Sequence, residues 1–174
     1  TLWITGDNRN GQLGDGSVYG RLSAIQAATN VTDVAAGVYQ TLFRKSDGTI
    51  WGMGWGQFGA FGDGIPVVQT APLNIVSGAR VAAAGVGKHS LFVKTDNTLW
   101  AMGANYAGQL GNGSTANEIN EPIAVANDVA SAWAGGAFSL FLKLDGSLWG
   151  MGENRNGQLG DGSIVNRSSP VQIA

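Results

Sequence analysis

Glycine-rich loops, a single histidine and a set of carboxylates are the groups in this sequence that could do chemistry. The segment Gly157-Gln158-Leu159-Gly160-Asp161-Gly162 has the glycine content of a phosphate-binding loop. It lacks the Gly-Lys-Ser/Thr ending of such a loop, and no helix pattern follows it. We therefore interpret these glycines as tight structural turns, since glycine adopts positive φ without steric cost.

Metal binding is the second chemistry to consider. Asp7, Asn8, Asn10 and Asp15 have the composition of a calcium loop, but their spacing does not fit an EF-hand. The chain has no cysteine, which excludes disulfides and thiolate metal sites. We expect no metal ion and no cofactor.

Catalysis by titratable side chains is the third chemistry to consider. His89 is the only histidine in the chain, and no Ser-His-Asp order accompanies it. A structural role is favoured, with the ring hydrogen-bonded to backbone within its own repeat. Asp15, Asp63 and Asp161 each precede a glycine and are interpreted as turn caps. Because no acid, base and nucleophile converge in the sequence, we expect a protein that is not an enzyme.

Four aromatic residues are the candidates for a binding surface. Trp55 and Phe58 stand in a loop where the other repeats carry polar residues, and Tyr106 and Trp133 are further candidates. Aromatic side chains often anchor a partner protein, and their flat rings also stack on sugars. The alternative is that they fill a locally altered contact inside the fold, and the sequence leaves both interpretations open.

These residues are held by a tandem array whose period is marked by tryptophan. Trp3, Trp51, Trp100 and Trp149 are separated by 48, 49 and 49 residues, and each opens a similar phrase. A fixed period of this length indicates stacked supersecondary units.

One unit, residues 128–174, shows the elements. Residues 139–144 alternate between two faces, which is typical of a strand. Asp145-Gly146 follows and predicts a hairpin with a type I′ turn, which needs positive φ at both positions. The return strand runs from Leu148 to Gly152, and a last short strand begins near Pro170. Each unit is therefore predicted to form four antiparallel strands.

Such units predict an all-β fold, a β-propeller built from four-stranded antiparallel blades. One blade cannot bury both of its faces, so blades must stack, and the periodic tryptophan is predicted to wedge between neighbours. The predicted structural positions are the tryptophans and one glycine in each loop: Trp3, Trp51, Trp100, Trp149, Gly14, Gly62, Gly111 and Gly160. We expect a single domain over residues 1–174, with a partial blade at 1–28 and blades at 29–78, 79–127 and 128–174.

The repeats resemble those of the regulator of chromosome condensation family. The phrase Leu-Trp-x-x-Gly-x-Asn-x-x-Gly-Gln-Leu-Gly-Asp-Gly occupies residues 2–16 and 148–162, and residues 99–113 match it with Asn112 in place of Asp. The resemblance implies a propeller that is mostly seven-bladed and serves as a binding scaffold. Only His89 keeps the family histidine, since Gln40 and Phe138 replace it, and the second repeat departs from the phrase at residues 55–62.

About three and a half blades are expected, because residues 1–28 account for only the outer half of one. Three interpretations are open. The chain is part of a larger propeller, it assembles with a second copy of itself, or it stays an open array whose partial blade is covered by another protein or by stacked neighbours in a filament. In each case an apolar face and an unpaired strand edge need a cover.

The composition of the chain disfavours some classes of partner and favours one location. A net charge of −2 and a charged fraction of 13% disfavour nucleic acid, which needs a basic face. No apolar run reaches the roughly 20 residues that a membrane helix needs, so no membrane insertion is expected. Low charge and abundant glycine favour an extracellular or cell-surface location.

The function that fits is a non-catalytic scaffold for protein–protein interaction or self-assembly, in a bacterial surface or secreted protein, with a homo-oligomer expected. Two alternatives stay open. One is a carbohydrate-binding module that uses the exposed aromatics, so that the partner would be a glycan. The other is a fragment of a guanine nucleotide exchange factor-like regulator, which the family resemblance implies.

Overall fold

In the computed structural model the chain is described over residues 1–65, 67–85, 88–116 and 118–174. These residues form fourteen strands in four sheets, together with a 3₁₀ turn at Gln57–Gly59. The first sheet contains β1 (Leu2–Gly6) and β2 (Arg21–Ala28). The second contains β3 (Val31–Ala36), β4 (Gln40–Lys45), β5 (Ile50–Trp55) and β6 (Val68–Val76). The third contains β7 (Ala79–Ala84), β8 (His89–Lys94), β9 (Leu99–Ala104) and β10 (Glu118–Ala126). The fourth contains β11 (Val129–Ala134), β12 (Phe138–Lys143), β13 (Leu148–Gly152) and β14 (Arg167–Gln172).

Each full sheet is an antiparallel meander in which the strands lie side by side in chain order. We call the four sheets blades 1 to 4. Blade 1 contains only β1 and β2, which correspond to the outer strand pairs of the other blades. The prediction of an all-β propeller array with about three and a half four-stranded blades is confirmed.

The blades present two different ends. One end carries the links between first and second strands (residues 37–39, 85, 88 and 135–137) and the long loops between third and fourth strands (7–20, 56–65, 67, 105–116 and 153–166). We call this end the loop face. The opposite end carries the tight turns between second and third strands (46–49, 95–98 and 144–147), and we call it the hairpin face.

The turns of the hairpin face differ from the predicted type I′ geometry. Positive φ occurs at Gly48, Asn97 and Gly146, but not at the aspartate that precedes each of them. The amide of Gly48 donates to the carbonyl of Lys45 at 3.0 Å. This is a type I turn followed by one left-handed residue. The type I′ prediction was wrong because the connection is longer than two residues.

The periodic tryptophans of blades 2 to 4 each lie opposite a phenylalanine of the neighbouring strand. The pairs are Phe43–Trp51, Phe92–Trp100 and Phe141–Trp149, with nearly parallel rings whose centroids lie 6.4, 6.3 and 6.2 Å apart. Phe92 is fully buried in the apolar cluster that joins blades 2 and 3, whereas Trp100 is half-buried at its edge. The main wedge between blades is therefore the phenylalanine, with the tryptophan stacked upon it.

Glycine and methionine form the joint between consecutive blades. A Cβ atom placed on Gly62 would lie 2.6 Å from Met102 Sδ and 2.9 Å from Pro122 Cδ, so the site has no room for a side chain. We call this contact the methionine–glycine joint. It recurs at Gly14 with Met53 and Pro72, and at Gly111 with Met151 and Pro170.

The innermost strands β3, β7 and β11 line a concave surface with a cavity of about 490 Å³. Most of its lining side chains are small, such as Ala35 and Ala83, because the inner strands of neighbouring blades approach closely there. Among the described residues no helix has the length and apolar character needed to cross a lipid bilayer.

Candidate functional site

A buried asparagine shapes the long loops of blades 1, 3 and 4. Asn105 is fully buried, and its Nδ2 donates to Asn112 Oδ1 and to the carbonyl of Ser114, each at 3.0 Å. Its Oδ1 accepts the backbone amide of Leu110 at 3.0 Å. The equivalent residues in blades 1 and 4 are Asn8 and Asn154. The asparagine recurs at the same position of these repeats, and this recurrence is a sequence signal for its organising role. We did not predict that role from the sequence.

Of the four residues considered as calcium ligands, Asp7, Asn8 and Asp15 have side-chain oxygens engaged in hydrogen bonds with nearby residues of the protein. Asp15 Oδ1 accepts from Asn8 Nδ2 at 3.0 Å and from Ser17 Oγ at 2.7 Å, while Oδ2 accepts from Arg21 Nε at 2.7 Å. Over the described part of the chain, no group of three or more His, Cys, Asp or Glu side chains is arranged to hold a metal ion. These carboxylates act as loop anchors.

The same hydrogen bonds control the ionisation of the loop aspartates. The Ser17 hydroxyl, followed by the Arg21 guanidinium, lowers the pKa of Asp15 from its ordinary 3.8 to about 2. The pKa of Asp161 is lowered further, by the Ser163 hydroxyl first and also by Arg167. Both groups therefore stay ionised at neutral pH, which makes them poor proton donors for catalysis.

His89 links two blades. The ring is fully buried, and its Nε2 lies 2.9 Å from Ser139 Oγ in blade 4. Ser139 Oγ donates in turn to the carbonyl of Gln109 at 2.8 Å, so its proton is directed away from the imidazole and Nε2 carries the hydrogen. Gln40, at the equivalent position of blade 2, donates to Ser90 Oγ in blade 3 at 3.3 Å. The contact thus crosses to the next blade, which the sequence did not predict, and the predicted hydrogen bond from His89 to backbone within its own blade stays a prediction.

Trp55 and Phe58 meet in an aromatic cluster on the loop face. Their ring centroids are 6.3 Å apart, and the Tyr39 ring packs edge-on against Trp55 at 4.9 Å. Lys88 of blade 3 places Nζ 4.4 Å from the Trp55 centroid and 4.7 Å from that of Phe58. This loop has Gly56 where the other loops have the organising asparagine. The cluster therefore replaces the polar network, and its ring faces are partly occupied by the protein's own lysine.

The other two aromatic candidates lie apart from this cluster. Tyr106 is 55% exposed at the tip of the long loop of blade 3, on the loop face. Trp133 is 51% exposed on the inner strand of blade 4, where it lines the concave surface. The structure therefore brings Trp55 and Phe58 together but does not join all four residues into one site.

Exposed apolar side chains concentrate on the loop face. Blades 1, 2 and 4 each project a pair from the second half of the long loop, and these pairs are Val18–Tyr19, Ile65–Val67 and Ile164–Val165. Tyr19 is 75% exposed and Ile164 is 70% exposed. At the hairpin face the turns carry Asp, Asn, Gly, Ser and Thr, with Leu144 as the exposed large apolar residue of the described turns. Clustered apolar exposure of this kind marks an interaction surface.

Comparison with known families agrees with the repeat pattern. Residues 96–142 and 145–174 match the regulator of chromosome condensation (RCC1) repeat, and residues 129–158 match a second model of that repeat. No curated protein sequence matches the chain.

Solved structures share the fold over nearly the whole chain. Human WBSCR16 is 25% identical with a TM-score of 0.81, covering 98% of this chain and 46% of that protein. Yeast RCC1 (Prp20), in its complex with Kap60, is 20% identical with a TM-score of 0.85, covering 99% and 44%. Prp20p from Saccharomyces cerevisiae, described with its binding to Gsp1p and histones, is 21% identical with a TM-score of 0.81, covering 99% and 46%. The chain thus spans slightly less than half the length of these relatives.

Proposed function

Because this chain belongs to the regulator of chromosome condensation repeat family, we propose that it is a non-catalytic propeller module that binds a protein partner through its loop face. The observation that carries this proposal is the row of exposed apolar pairs on the long loops of blades 1, 2 and 4. Isolated exposed apolar residues are ordinary, but repeated pairs on one end of a scaffold form a surface that a protein can cover.

The rest of the loop face suits this role. The ion pairs Asp15–Arg21 and Asp161–Arg167 join the long loops of blades 1 and 4 to the first residues of β2 and β14. Protein–protein interfaces usually combine apolar and polar groups. In blades 1 and 4 the buried Asn8 and Asn154 fasten the loop by hydrogen bonds, which reduces the entropy lost on binding. Loops held by a rigid scaffold are where binding residues generally lie.

Protein is favoured over glycan as the partner. A sugar-binding tryptophan must offer an open ring face, and Trp55 has Tyr39 at its edge and Lys88 over its ring. Guanine nucleotide exchange on a small GTPase rests on family resemblance alone for this chain. Self-assembly, an extracellular location and a bacterial surface role remain predictions.

The loop-face proposal is tested with matched variants of exposed residues. Tyr19→Ser, Ile164→Ser and Val165→Ser combined removes apolar surface from the loop face, while Leu22→Ser and Leu144→Ser combined removes it elsewhere. All five side chains are exposed, so the fold should persist in both variants.

Each protein is immobilised and exposed to a lysate of the source organism, and bound proteins are quantified by mass spectrometry. We expect a saturable partner that the loop-face variant loses by at least about 10-fold and the control variant retains. Equal capture by the loop-face variant and the unmodified chain would refute binding at the loop face.

A further inference from the structure

The aromatic cluster on the loop face lies between blades 2 and 3 and already holds a cation. Trp55 packs edge-on against Tyr39 of its own blade, and its ring centroid lies 6.3 Å from that of Phe58. Lys88 reaches across from blade 3 and places Nζ 4.4 Å from the Trp55 centroid and 4.7 Å from that of Phe58. One ammonium group thus contacts two aromatic rings, an arrangement by which proteins recognise cationic groups. We call Tyr39, Trp55 and Phe58 the aromatic cage.

The Lys88 contact differs from the lysine–tryptophan contacts inside the blades. Those contacts join the end of each second strand to the periodic tryptophan of the same blade, and they recur in blades 2, 3 and 4. Lys88 instead approaches from the neighbouring blade. Trp55 and Phe58, which it contacts, stand where the other long loops have Asp, Ala, Glu or Asn. The cage is therefore a property of this chain rather than of the repeat.

The ammonium group of Lys88 is held in the cage only weakly. It makes no ion pair with any described residue, and the side chain is half-buried. An ammonium group has three N–H donors, which water satisfies better than aromatic rings do. Tyr39 is 37% exposed, so the cage is open to solvent at the loop face. Lys88 can therefore leave at low cost, and a second cation competes for its place.

The long loop of blade 2 also carries a negative charge that lacks its usual partner. In blade 4 the loop aspartate forms an ion pair, with Asp161 Oδ2 2.7 Å from Arg167 Nε, and blade 1 has the same pair. In blade 2 the equivalent aspartate is Asp63, and Gln69 takes the place of the arginine, with Nε2 3.4 Å from Asp63 Oδ2. Among the described residues no cation pairs with Asp63. Together with the net charge of −2, this favours a cationic partner at this loop.

Two residues of the cluster have an unusual backbone conformation. Phe58 has φ 66° and Lys88 has φ 65°. The other non-glycine residues with positive φ in the described ranges are Asn or Asp, which tolerate this conformation. It is unfavourable for side chains as large as Phe and Lys. Backbone strain of this kind is concentrated at ligand-binding positions, which supports a binding role for the cage.

We propose that the aromatic cage receives a cationic side chain, an arginine or a lysine, of the protein that binds the loop face, a step that rests on the function proposed above. Lys88 occupies the cage when no partner is bound. On binding, the partner's cation displaces Lys88 and lies over the rings of Trp55 and Phe58. The affinity of the free chain is therefore reduced by the fraction of molecules in which Lys88 fills the cage.

A small cation tests the cage without any partner. Tetramethylammonium chloride is titrated into isotope-labelled protein, and NMR follows the indole Nε1–H signal of Trp55, identified by its loss in Trp55→Phe. Lys88→Ala vacates the cage, so its dissociation constant for tetramethylammonium should be about 3- to 10-fold lower than that of the unmodified chain. Arg155→Ala, which removes a positive charge from the long loop of blade 4, should leave the constant unchanged.

A neutral molecule of similar shape, tert-butanol, provides the second control and should cause no saturable shift of the Trp55 signal. The proposal is overturned if Lys88→Ala shows no saturable shift with tetramethylammonium. It is also overturned if tert-butanol binds equally well, or if Lys88→Ala and Arg155→Ala have the same dissociation constant.

The partner captured through the loop face, once purified, separates recognition from a purely structural contact. Lys88→Ala should bind it about 3- to 10-fold more tightly than the unmodified chain, because the internal competitor is gone. Trp55→Leu should bind it at least about 10-fold more weakly, and Trp55→Phe, which keeps a ring, should fall between. If Lys88 only fastens blade 3 to blade 2, Lys88→Ala would bind the partner equally or more weakly, and the proposal would be wrong.

The cage and the loop-face function can fail separately. If the combined Tyr19, Ile164 and Val165 variant loses the partner while Trp55→Leu keeps it at full affinity, the loop face binds the partner and the cage does not. If no saturable partner exists, the loop-face function and the role of the cage both fall. The tetramethylammonium titration then still decides whether the cage binds a cation.

Discussion

Truncation of the periodic tryptophan should have very different effects in a full blade and in the partial blade. Trp100 stacks on Phe92 with centroids 6.3 Å apart, lies under Lys94 Nζ at 3.9 Å, and donates from Nε1 to Thr98 Oγ1 at 2.8 Å. Trp3 occupies the same repeat position but is 59% exposed. Among the described residues no ring or lysine packs on Trp3, because blade 1 has no strand on that side to supply one.

The magnitudes follow from these contacts. For Trp100→Ala, loss of the ring stack costs about 0.5–1.5 kcal/mol and loss of the lysine contact costs about 0.5–1 kcal/mol. Loss of the partly buried apolar area adds about 1–2 kcal/mol. The total is about 2–4.5 kcal/mol of unfolding free energy. For Trp3→Ala, with less than half of the side chain buried, we expect about 1 kcal/mol or less.

Thermal unfolding followed by circular dichroism and by intrinsic fluorescence provides the assay. A difference of about 2 kcal/mol between the variants corresponds to about 4–8 °C in Tm for a domain of this size. The two signals should give coincident transitions before the values are compared. Equal losses of Tm in Trp3→Ala and Trp100→Ala would refute the reasoning, since the contribution could not then come from the phenylalanine and lysine contacts.

Three further perturbations probe the loops and the joints. Asn105→Ala should lower the unfolding free energy measured in urea by about 2–3 kcal/mol, because it leaves a buried backbone amide unpaired. Gly62→Ala should lower Tm well beyond Gly64→Ala, since both sites have positive φ but only the first added methyl group lies 2.6 Å from Met102 Sδ; similar Tm values would contradict the joint. The pKa of Asp15 is lowered in the folded protein, so its stabilising contribution is full above about pH 3.8 and is lost as pH falls towards about 2. The unfolding free energy of Asp15→Asn should therefore change less between those pH values than that of the unmodified chain. Parallel pH profiles of the two proteins would exclude a stabilising role of the Asp15 carboxylate.

The strands and turns of one repeat could be predicted from the sequence because they depend on residues that are close together in the chain. Alternation along residues 139–144 predicts a strand, and Asp145-Gly146 predicts a reversal of the chain. A period of 49 residues is too short for more than one small sheet, which must then stack on its neighbour. The predicted turn type was wrong because the Asp-Gly dipeptide occurs in hairpin connections of different lengths.

Contacts between blades were decided by the tertiary structure. His89 and Ser139 are 50 residues apart in the chain, and Lys88 reaches Trp55 from the next blade. Such pairs have no local signature, since their side chains meet only when stacked sheets take a definite offset. The sequence thus determined the units and their order. Packing alone determined which polar groups pair, which aromatic faces are covered, and which glycines receive a neighbour's methionine, because these depend on distances between sheets rather than along one strand.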